Sequence, residues 1–172
     1  MTFDEVFEKL KTKFPDAILA KEETKPDPAV KIEPSKIKEI LAFMRDELKF
    51  ETLGCISGVD YPKIPALCVV YHPTSYTHKT IVALKAYLPR TEEPSIPTVT
   101  DLFKGANWLE RETYDMFGIR FTGHPDHRRI LCPEDWVGYP LRKDFKSPDY
   151  YNGMPVPLYF AEEEKTDTGG HA

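Results

Sequence analysis

The sequence Thr80-Ile-Val-Ala-Leu-Lys-Ala-Tyr-Leu88 decides the fold class of this chain. Its uncharged residues Thr80, Val82, Leu84, Ala86 and Leu88 occupy every second position. Because successive side chains of a strand point to opposite faces of a sheet, these five would share one face. Such alternation indicates a strand with one face packed against a core. The stretch therefore predicts a sheet that other elements cover on one face.

Further candidate strands precede this one along the chain. All are short runs of apolar or β-branched residues bounded by turn-forming or charged residues, which is typical of strands. They are Ala17–Ala20, Ala29–Ile32, Leu53–Val59 and Leu67–His72.

Three helices are predicted by apolar residues that recur every three or four positions. The first begins with a capping box formed by Thr2 and Glu5, and the second begins at Pro34. The third runs from about Asp101 to Phe117, and Gly118 follows in the usual stop position. Together these elements predict a two-layer α+β fold, in which helices cover one face of a mixed sheet of about five strands.

After Gly118 the chain becomes rich in proline and aromatic residues. Six prolines fall within the 33 residues 125–157, and they exclude a long helix or a central strand there. The same stretch is rich in aromatic and aliphatic residues without periodicity, so it either wraps its own domain or lies on another protein. We predict an α+β domain over residues 1–118, an extended proline- and aromatic-rich interface segment over 119–160, and a disordered acidic tail over 161–172.

The composition excludes several classes of protein. The 172 residues carry 23 basic and 28 acidic side chains, and this mild acidity argues against nucleic acid as the main partner. The longest strongly apolar run, Ala66–Tyr71, is far shorter than the roughly 20 residues of a membrane-spanning helix. The N-terminus does not resemble a secretory signal. Three cysteines without a CxxC spacing argue against a disulfide framework and fit a reducing compartment.

Arginine is concentrated in one part of the chain. Five of the seven arginines lie between Arg111 and Arg142, whereas lysine supplies 12 of the 14 basic residues in positions 1–90. Because the planar guanidinium suits paired and partly buried contacts, this segment can be a network of arginine–carboxylate pairs. It can equally be a solvated, salt-bridged helix followed by a loop.

Two groups of residues are candidates for chemistry. His124, His127 and Cys132 are of the residue types that bind zinc, but Pro125 breaks any helical presentation and no fourth ligand is evident. A hydrolytic pair of Cys132 with either histidine lacks an oxyanion-hole or helix-start signal.

The carboxylates Glu110, Glu112 and Asp115 are candidates for general acid–base work. However, Arg111 and Asp115 have the i, i+4 spacing that favours ionised structural partners on a helix. The glycines form neither GxGxxG nor GxxxxGK[ST], so the usual phosphate-binding loops are absent from the sequence. No cluster is a self-sufficient active site.

The stretch from Glu110 resembles a known family. Glu110-Arg111-Glu112-Thr-Tyr-Asp115-Met116-Phe117, followed at fixed spacing by His124, Arg128 and Ile130-Leu131, is similar to the signature of the C subunit of bacterial NADH:quinone oxidoreductase. That family includes the 30-kDa subunit of mitochondrial complex I and the J subunit of the cyanobacterial and chloroplast enzymes. The likeness extends through Leu141-Arg142-Lys143-Asp144-Phe145. His127 and Cys132 depart from it, since the family usually has an apolar residue and a methionine or leucine there.

The resemblance implies a non-redox subunit in the hydrophilic arm of a proton-translocating NADH:quinone oxidoreductase. It implies no catalytic chemistry in this chain, because FMN, iron–sulfur clusters and quinone are bound by other subunits. The implied partners are the large quinone-site subunit and the iron–sulfur subunits. The expected motif and interface residues are Glu110, Arg111, Glu112, Asp115, Phe117, His124, Arg128, Arg129, Trp136, Arg142, Lys143 and Asp144.

The same resemblance implies peripheral membrane association through the complex. The expected location is the cytoplasmic side of the bacterial inner membrane, with the stromal or cytoplasmic side of a thylakoid membrane as the alternative.

Two alternative functions stay open on the sequence. Related subunits occur in membrane-bound hydrogenases and in ferredoxin- or deazaflavin-dependent complexes, so the electron donor is not fixed by the signature. The second alternative, of a different class, is a stand-alone metal-dependent hydrolase that uses His124, His127 and Cys132.

Overall fold

The computed structural model describes residues 1–22 and 28–156. The acidic tail predicted over 161–172 and the end of the predicted interface segment lie outside the described residues. The helices are α1 (Phe3–Lys13), α2 (Ile37–Asp46), which a 3-10 turn at Pro34–Lys36 precedes, and α3 (Ala106–Phe117).

The strands follow the order expected from the sequence and add short ones at the C-terminal end. They are β1 (Ile18–Glu22), β2 (Ala29–Ile32), β3 (Thr52–Tyr61), β4 (Ala66–Ser75), β5 (Thr80–Ile81), β6 (Ala83–Pro89), β7 (Ser95–Pro97), β8 (Arg120–Thr122), β9 (Tyr150–Tyr151) and β10 (Met154–Pro155).

The main sheet has six strands in the order β1-β2-β6-β4-β3, and β5 pairs with β4. Within this sheet β2 and β6 run parallel, with Ala29 opposite Ala83, whereas its other pairs are antiparallel. This mixed sheet confirms the predicted fold class. The predicted strand Thr80–Leu88 is interrupted at Val82, although β5 and β6 keep one register on β4. The N–H of Val82 donates to the carbonyl of Pro73 at 3.2 Å, but proline has no N–H to return the second bond of this pair.

The two faces of the sheet have different coverings. Leu67, Val69 and Tyr71 of β4 are buried in one cluster with apolar residues of all three helices. The alternate residues Cys68 and Val70 belong to a second, smaller cluster that includes no helical residue among those described. The predicted alternation therefore separates a helix-covered face from an open one.

The helix ends agree with their sequence signals, except at the start of α3. Thr2 and Glu5 form the predicted capping box, with N···O distances of 2.9 and 3.3 Å. Gly118 ends α3 in the left-handed conformation at φ 72°. The prediction that this helix begins near Asp101 was wrong, because it begins at Ala106. The amides of Leu102 and Phe103 both turn back to the carbonyl of Val99, so the preceding residues form tight turns.

One glycine sets the distance between α3 and the sheet. Gly58 of β3 lies under the ring of Phe117, and a Cβ at this position would stand 2.3 Å from Cδ2 of that ring. Phe117 itself is 8% exposed. The last residue of α3 is therefore packed flat on strand β3, at the edge of the main sheet.

Candidate functional site

Asp115 is the centre of the arginine–carboxylate network. Its side chain is fully buried, and Oδ2 accepts hydrogen bonds from three successive amides, those of Ile130, Leu131 and Cys132, at 3.0, 2.7 and 2.8 Å. Oδ1 accepts from Nη1 of Arg129 at 2.5 Å. Burial alone would raise the pKa of Asp115, but these donors hold it below its ordinary value. The loop after β8 is thus folded around an ionised carboxylate.

Arg129 connects this carboxylate to a second stretch of loop. Its Nη2 donates to the carbonyls of Trp136 and Gly138, both at 3.0 Å, and its guanidinium lies 5.4 Å from the ring centroid of Tyr139. Only 13% of the Arg129 side chain is exposed. Both charges of this pair are therefore satisfied within the chain.

Arg111 binds the same loop from the adjacent side of α3. Its Nε and Nη2 donate to the carbonyls of Arg128 and Arg129 at 3.2 Å each, and Nη1 lies 3.4 Å from Oδ2 of Asp126. The expected Arg111–Asp115 pair is absent from the described residues. Both side chains instead point at the loop, because its carbonyls suit the guanidinium and its amides suit the carboxylate.

Glu110 lies on the opposite side of α3 and is also fully buried. Oε2 accepts from the hydroxyl of Thr98 at 2.6 Å, and Oε1 accepts from the amide of Val99 at 2.8 Å. Desolvation outweighs these two donors and raises the pKa of Glu110 to about 7. This carboxyl fastens the turn before α3 to the middle of the helix.

His124 adjoins Glu110 and occupies a defined tautomer. Its Nδ1 accepts from the amide of Asp126 at 3.0 Å, so the proton lies on Nε2, which contacts the carbonyl of Asn107 at 3.2 Å. Nε2 is also 3.9 Å from Oε2 of Glu110. The imidazole thus helps to fold the loop back onto the first turn of α3.

The proposed metal ligands are each engaged elsewhere. His127 accepts from the amide of Phe121 at 3.1 Å, and its ring packs 4.1 Å from that of Tyr114. Burial raises the pKa of the Cys132 thiol, which lowers its thiolate fraction at neutral pH. Among residues 1–22 and 28–156, no group of three His, Cys, Asp or Glu is arranged to hold a metal ion. The geometry does not support the hydrolase alternative.

Arg142 and Tyr139 close the C-terminal end of α3. Nε of Arg142 donates to the carbonyl of Phe117 at 2.7 Å, and its guanidinium lies 4.8 Å from the centroid of the Tyr139 ring. That ring covers Gly118, where a Cβ would stand 2.4 Å from Cε2 of the tyrosine. A cation at this end also complements the helix dipole.

A second network was missed at the sequence level. Asp60 of β3 is buried and accepts from Nε and Nη2 of Arg90 at 2.9 and 3.1 Å, and from the amide of Lys143 at 2.9 Å. Arg90 also reaches Asp144 at 2.6 Å. The sequence offered two signals for this pair. Asp60 directly follows the predicted strand Leu53–Val59, and Arg90 is one of the two arginines before position 111.

The remaining signature residues lie at the surface or half-buried. Arg128 is 65% exposed and pairs with Asp126 at 2.9 Å. Trp136 is half-buried between the rings of Phe145 and Tyr151, at centroid distances of 6.5 and 5.3 Å. Glu112 is exposed, and its side chain makes no hydrogen bond or ion pair with any described residue. The signature therefore divides into a buried scaffold and a small exposed set.

No helix in the described part of the chain is long and apolar enough to cross a membrane.

Comparison with known proteins identifies a family that this chain matches. The family described as "Respiratory-chain NADH dehydrogenase, 30 Kd subunit" matches residues 30–151.

Individual relatives cover most of the chain. The C subunit of NADH-quinone oxidoreductase from Roseiflexus sp. (strain RS-1) is 48% identical over 142 residues, 81% of each chain. The C subunit of F(420)H(2) dehydrogenase from Methanosarcina mazei is 41% identical over 143 residues, 82% of this chain and 90% of that protein. A chain of the membrane-bound sulfane sulfur reductase, an archaeal respiratory membrane complex, shares the fold at a TM-score of 0.61 and 24% identity, over 83% and 85% of the two chains. The chain therefore belongs to the family of the 30-kDa subunit of respiratory-chain NADH dehydrogenase.

Proposed function

We propose that this chain is a non-redox subunit in the hydrophilic arm of a proton-translocating NADH:quinone oxidoreductase. In this role it supports assembly beside the quinone-site subunit and the iron–sulfur subunits, while the whole complex transfers electrons from NADH to quinone. The proposal is supported by relatives such as the Roseiflexus protein, which is the C subunit of an NADH-quinone oxidoreductase.

One structural observation carries the assembly role. The C-terminal segment is fastened to the domain by Asp115 and Asp60, yet it exposes large apolar side chains. The exposed fractions are 62% for Leu131, 86% for Val137, 51% for Leu141, 68% for Tyr150 and 63% for Met154. Large apolar side chains that stand in water on a segment fastened to the domain are typical of a surface that a partner covers.

We also propose that FMN, iron–sulfur clusters and quinone are bound by other subunits. Iron–sulfur clusters generally need four protein ligands, most often cysteines. The three cysteines of this chain lie on β3, on β4 and in the loop after β8. Cys68 is fully buried in the smaller apolar cluster of the sheet, and desolvation raises the pKa of its thiol to about 12.

Purification of the native complex tests these proposals together. A tagged copy of the chain, expressed in its own host, should carry the quinone-site and iron–sulfur subunits through mild-detergent purification, and the preparation should reduce quinone with NADH. The chain purified alone should contain neither flavin nor iron. Flavin or stoichiometric iron in the isolated chain would contradict the second proposal, and recovery without any respiratory subunit would contradict the first.

The Methanosarcina relative favours a second candidate in the same family. Because that protein belongs to an F(420)H(2) dehydrogenase, an equivalent chain can serve a donor other than NADH. The purified complex separates the candidates when it is assayed with NADH, a reduced deazaflavin and a reduced ferredoxin. NADH should give the fastest quinone reduction. A higher rate with another donor would mean that the chain belongs to a complex that uses that donor.

Membrane association of this chain is proposed to be peripheral, through the complex, on the cytoplasmic side. An alkaline carbonate wash of intact membranes should then release the chain into the supernatant. Protease added to sealed vesicles should cleave it only where the cytoplasmic face is turned outward.

A further inference from the structure

The outward face of α3 is not covered by the rest of the described chain. Trp108 is 63% exposed, Glu112 is exposed, and Leu109 and Met116 are half-buried. With 3.6 residues per turn, Trp108, Glu112 and Met116 form one row along the helix, and Leu109 lies beside it. We call these four residues the α3 face.

A groove runs beside this face at the edge of the main sheet. It has a volume of about 200 Å³ and lies between α3 and β3, and its lining includes Cys55, Ser57, Gly58, Met116 and Leu141. β3 is the last strand of the sheet, and no described strand pairs with its outer edge. That edge therefore has no strand partner among the described residues, which is the arrangement that an added strand requires.

Glu112 gives this groove its charge. Glu110, Arg111, Asp115 and Arg129 of the same signature are all paired inside the chain, whereas Glu112 has no partner among the described residues. It stands in the groove wall beside the apolar side chains of Leu109 and Met116. A partner that covered it without an opposite charge would bury an unpaired carboxylate and so weaken the contact.

We propose that the α3 face and its groove dock an extended segment of a partner protein that carries a lysine or arginine beside an apolar side chain. The basic group pairs with Glu112, the apolar side chain enters the groove, and Trp108 supplies an aromatic anchor of the kind that dominates interface energies. Pairing along β3 adds main-chain hydrogen bonds. This inference rests on the proposed function, because it assumes that the chain assembles with other subunits of a complex.

Site-specific photo-crosslinking in the native host tests the proposal. A benzophenone amino acid at Met116 of the tagged chain should form an adduct with another protein of the complex, and mass spectrometry of the adduct should identify a peptide with a lysine or arginine close to the crosslinked residue. Glu112→Lys should lower the yield of this adduct about tenfold, and Glu112→Gln should lower it less.

Glu8→Lys is the matched charge reversal. Glu8 is exposed on α1 and has no ion pair among the described residues, so this variant should give the wild-type yield. Because Glu112 is exposed and unpaired within the described chain, Glu112→Lys should keep the wild-type urea midpoint, and a change in folding would then not account for the loss. Reversal of the partner's basic residue to glutamate should restore the adduct with Glu112→Lys.

The outcomes distinguish failure of docking from failure of the proposed function. If the wild-type chain recovers no respiratory subunit, the proposed function fails. If the other subunits are recovered but the Met116 probe crosslinks to a second copy of this chain, to an acidic peptide or to nothing, the docking proposal is overturned and the proposed function stands. An unchanged adduct yield with Glu112→Lys overturns it as well.

Discussion

Glu110 and Asp115 lie on the same helix and are both fully buried, yet their pKa values shift in opposite directions. Burial acts on both carboxyls in the same sense, so the donors around each decide the outcome. Asp115 receives three amides and a guanidinium, whereas Glu110 receives one amide and one hydroxyl. Charge-assisted bonds are about twice as strong as neutral ones, and only Asp115 has a cation in contact.

Stability should depend on the protonation of Glu110 between about pH 4.5 and pH 7. Because the folded chain raises this pKa, it binds the proton more tightly than the unfolded chain, and the contribution of Glu110 to stability falls as the pH rises through that range. Glutamine resembles the protonated form and cannot titrate. Relative to Glu110→Gln, the wild-type chain should lose about 3 kcal/mol of unfolding free energy between pH 4.5 and pH 7.5.

Urea titrations of both proteins at a series of pH values measure this difference. A constant difference across the range would mean that Glu110 keeps an ordinary pKa in the folded chain.

Asp115→Asn should be among the more destabilising isosteric changes in this chain. The new amide group would face amide donors and Arg129 would lose its carboxylate, so an unpaired guanidinium would remain partly buried. Breaking a buried ion pair from one side costs about 3 kcal/mol or more. Equilibrium urea unfolding at pH 7 should show this loss, whereas Glu112→Gln at the surface should stay within about 0.5 kcal/mol of the wild type. Equal stability of the two variants would contradict the role assigned to Asp115.

At the scale of elements, the position of α3 depends on the contact between Gly58 and Phe117. Gly58→Ala would place a Cβ against the phenyl ring and push the helix away from β3, at a cost of about 1 to 3 kcal/mol. Gly105→Ala serves as the comparison, because no atom lies within 4 Å of the added Cβ and its backbone is already helical at φ −63°. Its stability should be unchanged or up to about 1 kcal/mol higher. Thermal unfolding of both variants distinguishes a local clash from a general effect of replacing glycine.

The local elements could be predicted because their signals are local. Alternation located the strands, the capping box located the start of α1, and Gly118 located the end of α3. The start of α3 was misplaced because the residues of Asp101–Lys104 are compatible with a helix. Hydrogen bonds between Glu110 and residues 98–99 instead fold that stretch into turns. The division at Val82 also depends on a contact with another strand.

The sequence predicted which residue types form the arginine–carboxylate network, but not which residues pair with each other. The density of arginines and carboxylates indicated buried pairs, and the i, i+4 spacing suggested the wrong ones. The partner of Arg111 depends on the positions of the backbone carbonyls in the loop after Gly123. Because that loop has no regular secondary structure, no periodic pattern in the sequence predicts those positions. Asp60 and Arg90 were missed for the same reason, since they are 30 residues apart and meet only through the sheet and the loop.

At the scale of the whole molecule, a series of charged groups fastens residues 126–145 to the α+β domain. Asp115 holds residues 129–132, Asp60 and Arg90 hold Lys143 and Asp144, and Arg142 binds the end of α3. The main sheet and the helices above it are held by an apolar core. The two parts should therefore respond differently to pH.

Acid should release the C-terminal segment before the sheet unfolds. The pKa values of Asp60 and Asp115 are lowered in the folded chain, so their stabilisation is complete above the ordinary aspartate value of about 3.9 and is lost as the pH falls through and below it. Trp108→Phe leaves Trp136 as the only tryptophan, packed between Phe145 and Tyr151. Its emission should shift to longer wavelength at a higher pH than the loss of far-ultraviolet circular dichroism.

The converse variant, Trp136→Phe, isolates the exposed Trp108 on α3, whose emission should change little during release of the segment. Coincident transitions of the Trp136 emission and the circular dichroism would mean that the segment and the sheet unfold as one unit. Separate transitions would show that protonation of Asp60 and Asp115 is enough to release the segment, although Arg111 and Arg142 also bind backbone carbonyls there.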